Sequence, residues 1–108
     1  MSWGAVIEAS TAGDRPALMK ALDGQPVAVV NASDGIQRTA LSWASANGHA
    51  ACVQLLLDST ADPTRADNYG YTALHEACSF GHERCTQLLL DKRADPNAAN
   101  SVGEAAIQ

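Results

Sequence analysis

The chain repeats itself with a period of 33 residues. When residues 34–66 are placed over residues 67–99, seventeen of the 33 positions carry the same amino acid. The shared positions include a Thr-Ala-Leu triplet, a Gly-His pair, three leucines followed by aspartate, and an Ala-Asp-Pro triplet. Self-similarity at this period is typical of arrays in which each unit buries its apolar face against its neighbours. The repeat therefore indicates an array of equivalent units.

Each unit is predicted to consist of two short helices separated by turns. In the second clear copy, Thr72 can cap a helix of about eight residues over 73–80, and Gly81 can end it in the left-handed conformation. A second helix is predicted over about 83–91, because its apolar residues cover one broad face. Alanine makes up 21 of the 108 residues. We expect these small side chains to let the paired helices approach closely.

A weaker copy precedes the two clear ones, and a fragment follows them. Residues 5–22 match residues 40–57 at an offset of 35, and the linker after them carries the two extra residues. The sequence predicts one repeat domain over 1–108, with repeats at about 3–33, 34–66 and 67–99 and a partial repeat at 100–108.

The motifs of the second clear unit resemble those of a known family. They are Thr-Ala-Leu-His at 72–75, Gly-His at 81–82, three leucines at 88–90 and Ala-Asp-Pro-Asn at 94–97. A 33-residue unit with these motifs resembles the ankyrin repeat. The resemblance implies an all-α solenoid of stacked helix-turn-helix units, joined by β-turn or hairpin-like loops.

The resemblance also assigns structural roles and marks departures. His75 matches the histidine that ties neighbouring turns by hydrogen bonds in the family, and Ser42 stands at that place one repeat earlier. Thr60 and Arg93 stand where the family usually has a glycine in the left-handed conformation. For a residue other than glycine, this conformation costs roughly 1–2 kcal/mol. The residues that match structural motif positions are Thr39, Thr72, His75, Gly48, His49, Gly81 and His82.

By the same resemblance, the chain is expected to bind a protein or peptide partner on a concave face formed by turn tips and inner helices. Aromatic residues next to arginine are typical of binding hot spots. For Trp43, the alternative is that it packs between repeats. The predicted partner-binding residues are Ile36, Arg38, Trp43, Asn47, Tyr69, Tyr71, Phe80, Val102 and Glu104.

The residues give little support for metal binding, catalysis or modification. Two His-x-x-Cys pairs, at 49–52 and 82–85, have the residue types of a zinc site. Because they repeat at 33 residues they should point the same way rather than converge, so we expect no metal and no cofactor. No nucleophile elbow, phosphate loop or His-Glu-x-x-His motif is present, so we expect no enzyme. Asn97 resembles the acceptor of asparagine hydroxylation in ankyrin repeats, with a plain turn asparagine as the alternative.

Charge and cysteine content restrict the partners. The net charge is −5 and the basic residues are scattered, which weighs against nucleic acid. No apolar run approaches the roughly 18 residues of a membrane span, so no membrane insertion is expected. Three cysteines cannot all pair, which favours a reducing compartment, the cytoplasm or alternatively the nucleus.

The alternative to binding through the concave face is a regulatory or assembly function. Residues 100–108 end inside the first helix of a repeat. In this alternative, the chain is expected to be a regulatory or assembly segment of a larger multidomain protein. It would bind intramolecularly or self-associate through its open C-terminal end.

Overall fold

The computed structural model describes residues 2–92 of the chain. Within this range the chain forms seven helices and no strands. The helices are α1 (Ser2–Ala12), α2 (Arg15–Leu22), α3 (Val27–Val30), α4 (Ala40–Ala46), α5 (Ala50–Asp58), α6 (Ala73–Ser79) and α7 (Glu83–Asp91).

The helices form two layers of three. Helices α1, α4 and α6 pack side by side in one layer, and α2, α5 and α7 lie against them in the other. Each repeat contributes one helix to each layer, and the short α3 contacts α1. The predicted all-α solenoid of helix-turn-helix units is confirmed. An isolated antiparallel bridge joins the two ends of each turn before α4 and α6, at Ser33–Thr39 and Ala66–Thr72.

The predicted threonine caps begin the first helices of the two clear repeats. The Thr39 hydroxyl oxygen accepts the backbone N–H of Ser42 at 3.2 Å. Thr72 accepts the backbone N–H of His75 in the same way, at 3.3 Å. The His75 ring returns the interaction, because its Nδ1 accepts the Thr72 N–H at 3.0 Å. This reciprocal capping box satisfies two N–H groups at the start of α6, whereas Ser42 supplies no ring to do so at α4.

Glycine ends the inner helices and also joins neighbouring repeats. Gly81 adopts a φ of 72°, as predicted, and its counterpart Gly48 has a φ of 73°. A Cβ on Gly48 would lie 2.6 Å from the His82 ring, so only glycine leaves room for that histidine. The His82 Nε2 donates to the carbonyl of Ala46 at 3.0 Å. We call this arrangement the Gly–His contact.

The same contact occurs one repeat earlier. A Cβ on Gly13 would lie 2.6 Å from the His49 ring, and the His49 Nε2 donates to the Thr11 carbonyl at 3.1 Å. The two contacts therefore place one repeat on the next with the same geometry, and both histidines act structurally.

Among the residues that the structure describes, two residues other than glycine adopt the left-handed backbone conformation. Thr60 has φ 71°, as predicted from its place in the repeat. Gln37 has φ 67° and was not predicted; its counterpart in the next repeat is Gly70, with φ 80°. The turn geometry imposes this conformation on both repeats. Arg93, the other predicted case, lies outside the described residues. Helix α6 ends at Ser79, one residue before the predicted end, with Phe80 as its C-cap.

The core lies between the two layers and continues through all three repeats. Alanines at 40, 44, 73 and 77 are at most 1% exposed, which keeps the inner helices close to their neighbours. The largest fully buried apolar side chains are Leu18, Leu41, Leu56, Leu74, Leu89, Val6 and Val53.

Truncating a leucine of the outer layer should destabilise the fold. Leu56 and Leu89 occupy equivalent positions and are 0% exposed. Leu56→Ala or Leu89→Ala should lower the free energy of unfolding by about 2–5 kcal/mol, because the packed helices cannot close the cavity completely. Urea denaturation followed by circular dichroism measures the change. Midpoints equal to that of the unaltered chain would place these leucines outside the core.

The three cysteines are free thiols in different environments. Cys52 and Cys85 are buried at equivalent positions of α5 and α7, whereas Cys78 is partly exposed. Burial raises the pKa of both buried thiols, and at Cys52 the charge of Asp14 adds to this effect. These two thiols therefore remain protonated and unreactive in the folded chain.

A thiol reagent should distinguish the three cysteines. At about pH 8, one thiol per chain should react with Ellman's reagent rapidly, and the other two at least about tenfold more slowly, at a rate set by opening of the fold. Cys78→Ser should remove the fast phase. Three equally fast thiols in the folded chain, or a fast phase that survives Cys78→Ser, would contradict this assignment.

Candidate interaction surface

The turn before α4 is built on the side chain of Asp34. Its Oδ1 accepts the backbone N–H groups of Ile36 and Arg38, at 3.1 and 3.0 Å. The Asp34 N–H donates in turn to the Arg38 carbonyl at 2.9 Å. The carboxylate thus closes the turn from inside and leaves the Ile36 side chain at its tip, 38% exposed.

The turn before α6 repeats this construction on Asp67. Its Oδ1 accepts the N–H groups of Tyr69 and Tyr71, at 2.8 and 3.0 Å. The two tips are joined, because the N–H of Asn68 donates to the Ile36 carbonyl at 3.0 Å. Successive turns therefore form one continuous edge rather than separate loops.

Arg38 connects this edge to the inner helices. Its Nε donates to Asp67 Oδ2 at 3.1 Å, and its Nη2 donates to Glu76 Oε1 on α6 at 2.8 Å. The two carboxylate side chains are only 1% and 6% exposed, and the arginine side chain 22%. A guanidinium group with two nearly buried carboxylates holds the second repeat to the third.

Trp43 lies on the other side of this arginine. The Arg38 guanidinium carbon lies 5.0 Å from the centre of the Trp43 ring, within the range of a cation–π interaction. The indole Nε1 donates to Asp34 Oδ2 at 2.8 Å. Trp43 is half-buried. Its indole packs against the turn of its own repeat, through Asp34 and Arg38, and keeps an accessible side. We call Asp34, Arg38, Trp43, Asp67 and Glu76 the Arg38 network.

Burial sets the electrostatics of the network. It raises the pKa of the Glu76 carboxyl, and the nearby charge of Asp67 acts in the same direction. The charges of Arg38 and His75 oppose this rise. Arg38 therefore supports the ionised form of a carboxylate that the surrounding fold disfavours.

The predicted aromatic residues differ in exposure. Tyr69 and Phe80 are 57% and 62% exposed. Tyr71 is half-buried, with its ring 5.6 Å from the His75 ring in an edge-on arrangement. The Phe80 ring stacks on His82 at 6.4 Å. Tyr69 and Phe80 are thus available to a partner, whereas Tyr71 has a packing role as well.

The remaining predicted site residues have mixed outcomes. Asn47 ends α4, and its side-chain amide donates to the Thr11 carbonyl at 3.2 Å, so it also joins two repeats. Val102, Glu104 and Asn97 lie outside the described residues.

Sequence reasoning missed the contribution of the first repeat. Ile7, Glu8 and Thr11 of α1 line a groove against Asp34 and Trp43. Repeat matching could have found them, since α1 is the counterpart of α4, but the weak similarity of the first repeat hid the correspondence. The roles of Asp67 and Glu76 were not predicted either, because they arise from ion pairs with Arg38 of the preceding repeat.

In each His-x-x-Cys pair, the histidine and the cysteine have different surroundings. Each histidine donates its Nε2 hydrogen to a carbonyl of the preceding repeat, and each cysteine is buried in the core. Within residues 2–92, no three His, Cys, Asp or Glu side chains are placed to hold a metal ion.

Comparison with protein families identifies this architecture. A family model described as ankyrin repeats, in three copies, matches residues 6–100. The chain belongs to the ankyrin-repeat family. Ankyrin repeats are generally modules for protein–protein interaction, and the family is typically non-enzymatic. No curated protein matches the chain. None of the helices in the described part of this ankyrin domain is long and apolar enough to cross a membrane.

Removing the Arg38 side chain should destabilise the domain more than is usual for a partly exposed residue. Arg38→Ala leaves two nearly buried carboxylates without their cation, so we expect a loss of about 2–4 kcal/mol in the free energy of unfolding. The matched control is Arg65→Ala, whose side chain is 53% exposed and makes one long ion pair of 3.9 Å. Its effect should stay within about 0.5 kcal/mol.

The destabilisation by Arg38→Ala should depend on pH. Without Arg38 the pKa of Glu76 in the folded state rises further above its unfolded value. Between those two values the folded chain binds more protons than the unfolded chain, so stability falls as pH rises. The loss should therefore be smaller at about pH 4.5 than at pH 7, and Glu76→Gln should restore part of it at pH 7. Equal losses at both pH values, with no restoration, would show that the network is not electrostatic.

Proposed function

We propose that this ankyrin domain binds a protein or peptide partner through the concave face formed by its turn tips and inner helices. The observation that supports the proposal is the exposure of large apolar side chains on the turns and at the end of α6. Ile36 and Tyr69 stand at adjacent, hydrogen-bonded turn tips, and Phe80 stands at the far end of α6. Exposed apolar side chains that share one face are a feature of interaction sites.

The fixed geometry of the face supports the proposal. Each turn is closed by an aspartate that accepts two backbone N–H groups, and the tips are joined to one another. The Arg38 network ties these turns to the inner helices. A partner would therefore meet a preformed surface, which lowers the entropy lost on binding.

The aromatic residues suit the role of anchors. Tyrosine and phenylalanine offer large contact areas with few rotatable bonds to restrict. Tyr69 and Phe80 have much of their surface in water before binding, so a partner that covers them gains their burial.

Truncation of these anchors should weaken binding without unfolding the domain. For a peptide selected on the unaltered domain by phage display, Tyr69→Ala and Phe80→Ala should each weaken binding by about 1–3 kcal/mol, measured by calorimetry. Their melting temperatures should change little. Tyr71→Ala, also a predicted contact, should lower stability as well as affinity because Tyr71 packs on His75.

Arg84→Ala is the control for this experiment. Arg84 is exposed on the outer helix α7 and should tolerate truncation without loss of binding. If Arg84→Ala weakened binding and the two aromatic variants did not, the outer layer would be the recognition surface. A mass in solution that rises with concentration would favour the other reading, a segment that self-associates through its C-terminal end.

We also propose a reducing compartment for this chain, the cytoplasm or the nucleus. The support is that three thiols are free and two of them are buried in the core.

A further inference from the structure

A groove of about 400 Å³ lies between the inner helices α1 and α4. Ile7, Glu8 and Thr11 line it from α1, and Asp34 and Trp43 line it from the second repeat. Its volume lies near the lower end of the roughly 300–1,000 Å³ typical of ligand sites. It is large enough for one long side chain, and its walls are largely apolar.

The polar groups of the groove are not equally free to bind. Thr11 is occupied, since its hydroxyl donates to the Ile7 carbonyl at 2.8 Å and its own carbonyl accepts from Asn47 and His49. The indole N–H is held by Asp34. Asp34 Oδ2 accepts only that bond, and Glu8 is exposed with no ion-pair partner within residues 2–92. The groups of the groove that can still bind a ligand are therefore the carboxylates of Glu8 and Asp34, which accept hydrogen bonds and attract positive charge.

The Arg38 network shows that the Trp43 ring already accommodates a cation. The Arg38 guanidinium lies 5.0 Å from the centre of the indole ring. Its ion pairs are with Asp67 and Glu76, and within residues 2–92 it forms none with the two carboxylates of the groove, Glu8 and Asp34. A second cation at the groove therefore meets a net negative surface on a chain whose net charge is −5.

We propose that this groove takes the side chain of a lysine or arginine from an extended peptide segment of the partner. The aliphatic stem packs against Ile7 and Trp43, and the charged end lies between Glu8 and Asp34. Lysine and arginine side chains have this division into an apolar stem and a charged head. The inference rests on the proposed function and adds to it the chemistry of one binding position.

Nuclear magnetic resonance can test this with four defined probes. They are nine-residue glycine-serine peptides that carry lysine, arginine, norleucine or glutamate at the centre. Trp43→Phe assigns the Trp43 indole resonance in the ¹⁵N-labelled chain. We expect the lysine and arginine peptides to shift this resonance and the amides of α1, with dissociation constants in the millimolar range, and the other two peptides to leave them unchanged.

A pair of matched variants separates a local carboxylate from overall charge. Glu8→Gln should weaken binding of the lysine peptide roughly two- to fivefold, the effect of one exposed charge pair. Glu83→Gln removes the same charge from an exposed position of α7 and should leave it unchanged. Equal binding of the norleucine peptide, equal weakening by both variants, or no shift with any peptide would overturn the proposal.

The proposed function is judged separately, on the peptides selected by phage display. Selected peptides that lose affinity with Phe80→Ala but contain no basic residue would leave concave-face binding standing and refute the role of the groove. Selected peptides whose binding depends only on outer-layer residues would refute the proposed function itself, whatever the four probes show.

Discussion

Stacking between neighbouring repeats is the interaction on which the whole structure depends. A pair of helices of seven to nine residues, such as α4 with α5, cannot enclose an apolar core by itself. The inner helices accordingly pack on one another through alanines, and the outer helices contribute leucines to the same continuous core. Stability and shape are therefore both properties of the interfaces between repeats, which fix how each unit sits on the next.

The Arg38 network contributes to the stacking of repeats and also forms part of the proposed binding face. Arg38 holds the second repeat to the third through Asp67 and Glu76, and it also lies over the ring of Trp43. A side chain of the proposed binding face thus also joins two repeats. Substitutions on the proposed binding face must preserve these two ion pairs or replace them, which restricts how freely the surface can vary.

The sequence predicted what each repeat specifies locally. Thr72, Gly81 and the bounds of α7 follow from capping, left-handed termination and helical periodicity, which act over a few residues. Site residues were harder, because their environment is built across repeats. Arg38 was predicted as a contact for a partner, and nothing in its own repeat indicates that Asp67 and Glu76 would surround it 29 and 38 residues later. The groove beside α1 was not predicted for the same reason, since five of its seven lining residues lie on a repeat whose sequence has diverged.

The Gly–His contact has a direction, and this bears on how such an array can change in evolution. A glycine of one repeat receives the histidine of the next, as Gly13 receives His49 and Gly48 receives His82. The first repeat has the receiving glycine, but Asp14 stands where the later repeats have their histidine, and it caps α2 instead. Duplication or recombination can therefore insert copies of the second or third repeat without disturbing the junctions. The first repeat, moved inward, would present a carboxylate to the preceding glycine and leave a carbonyl without its donor. It is suited to open the array and not to extend it.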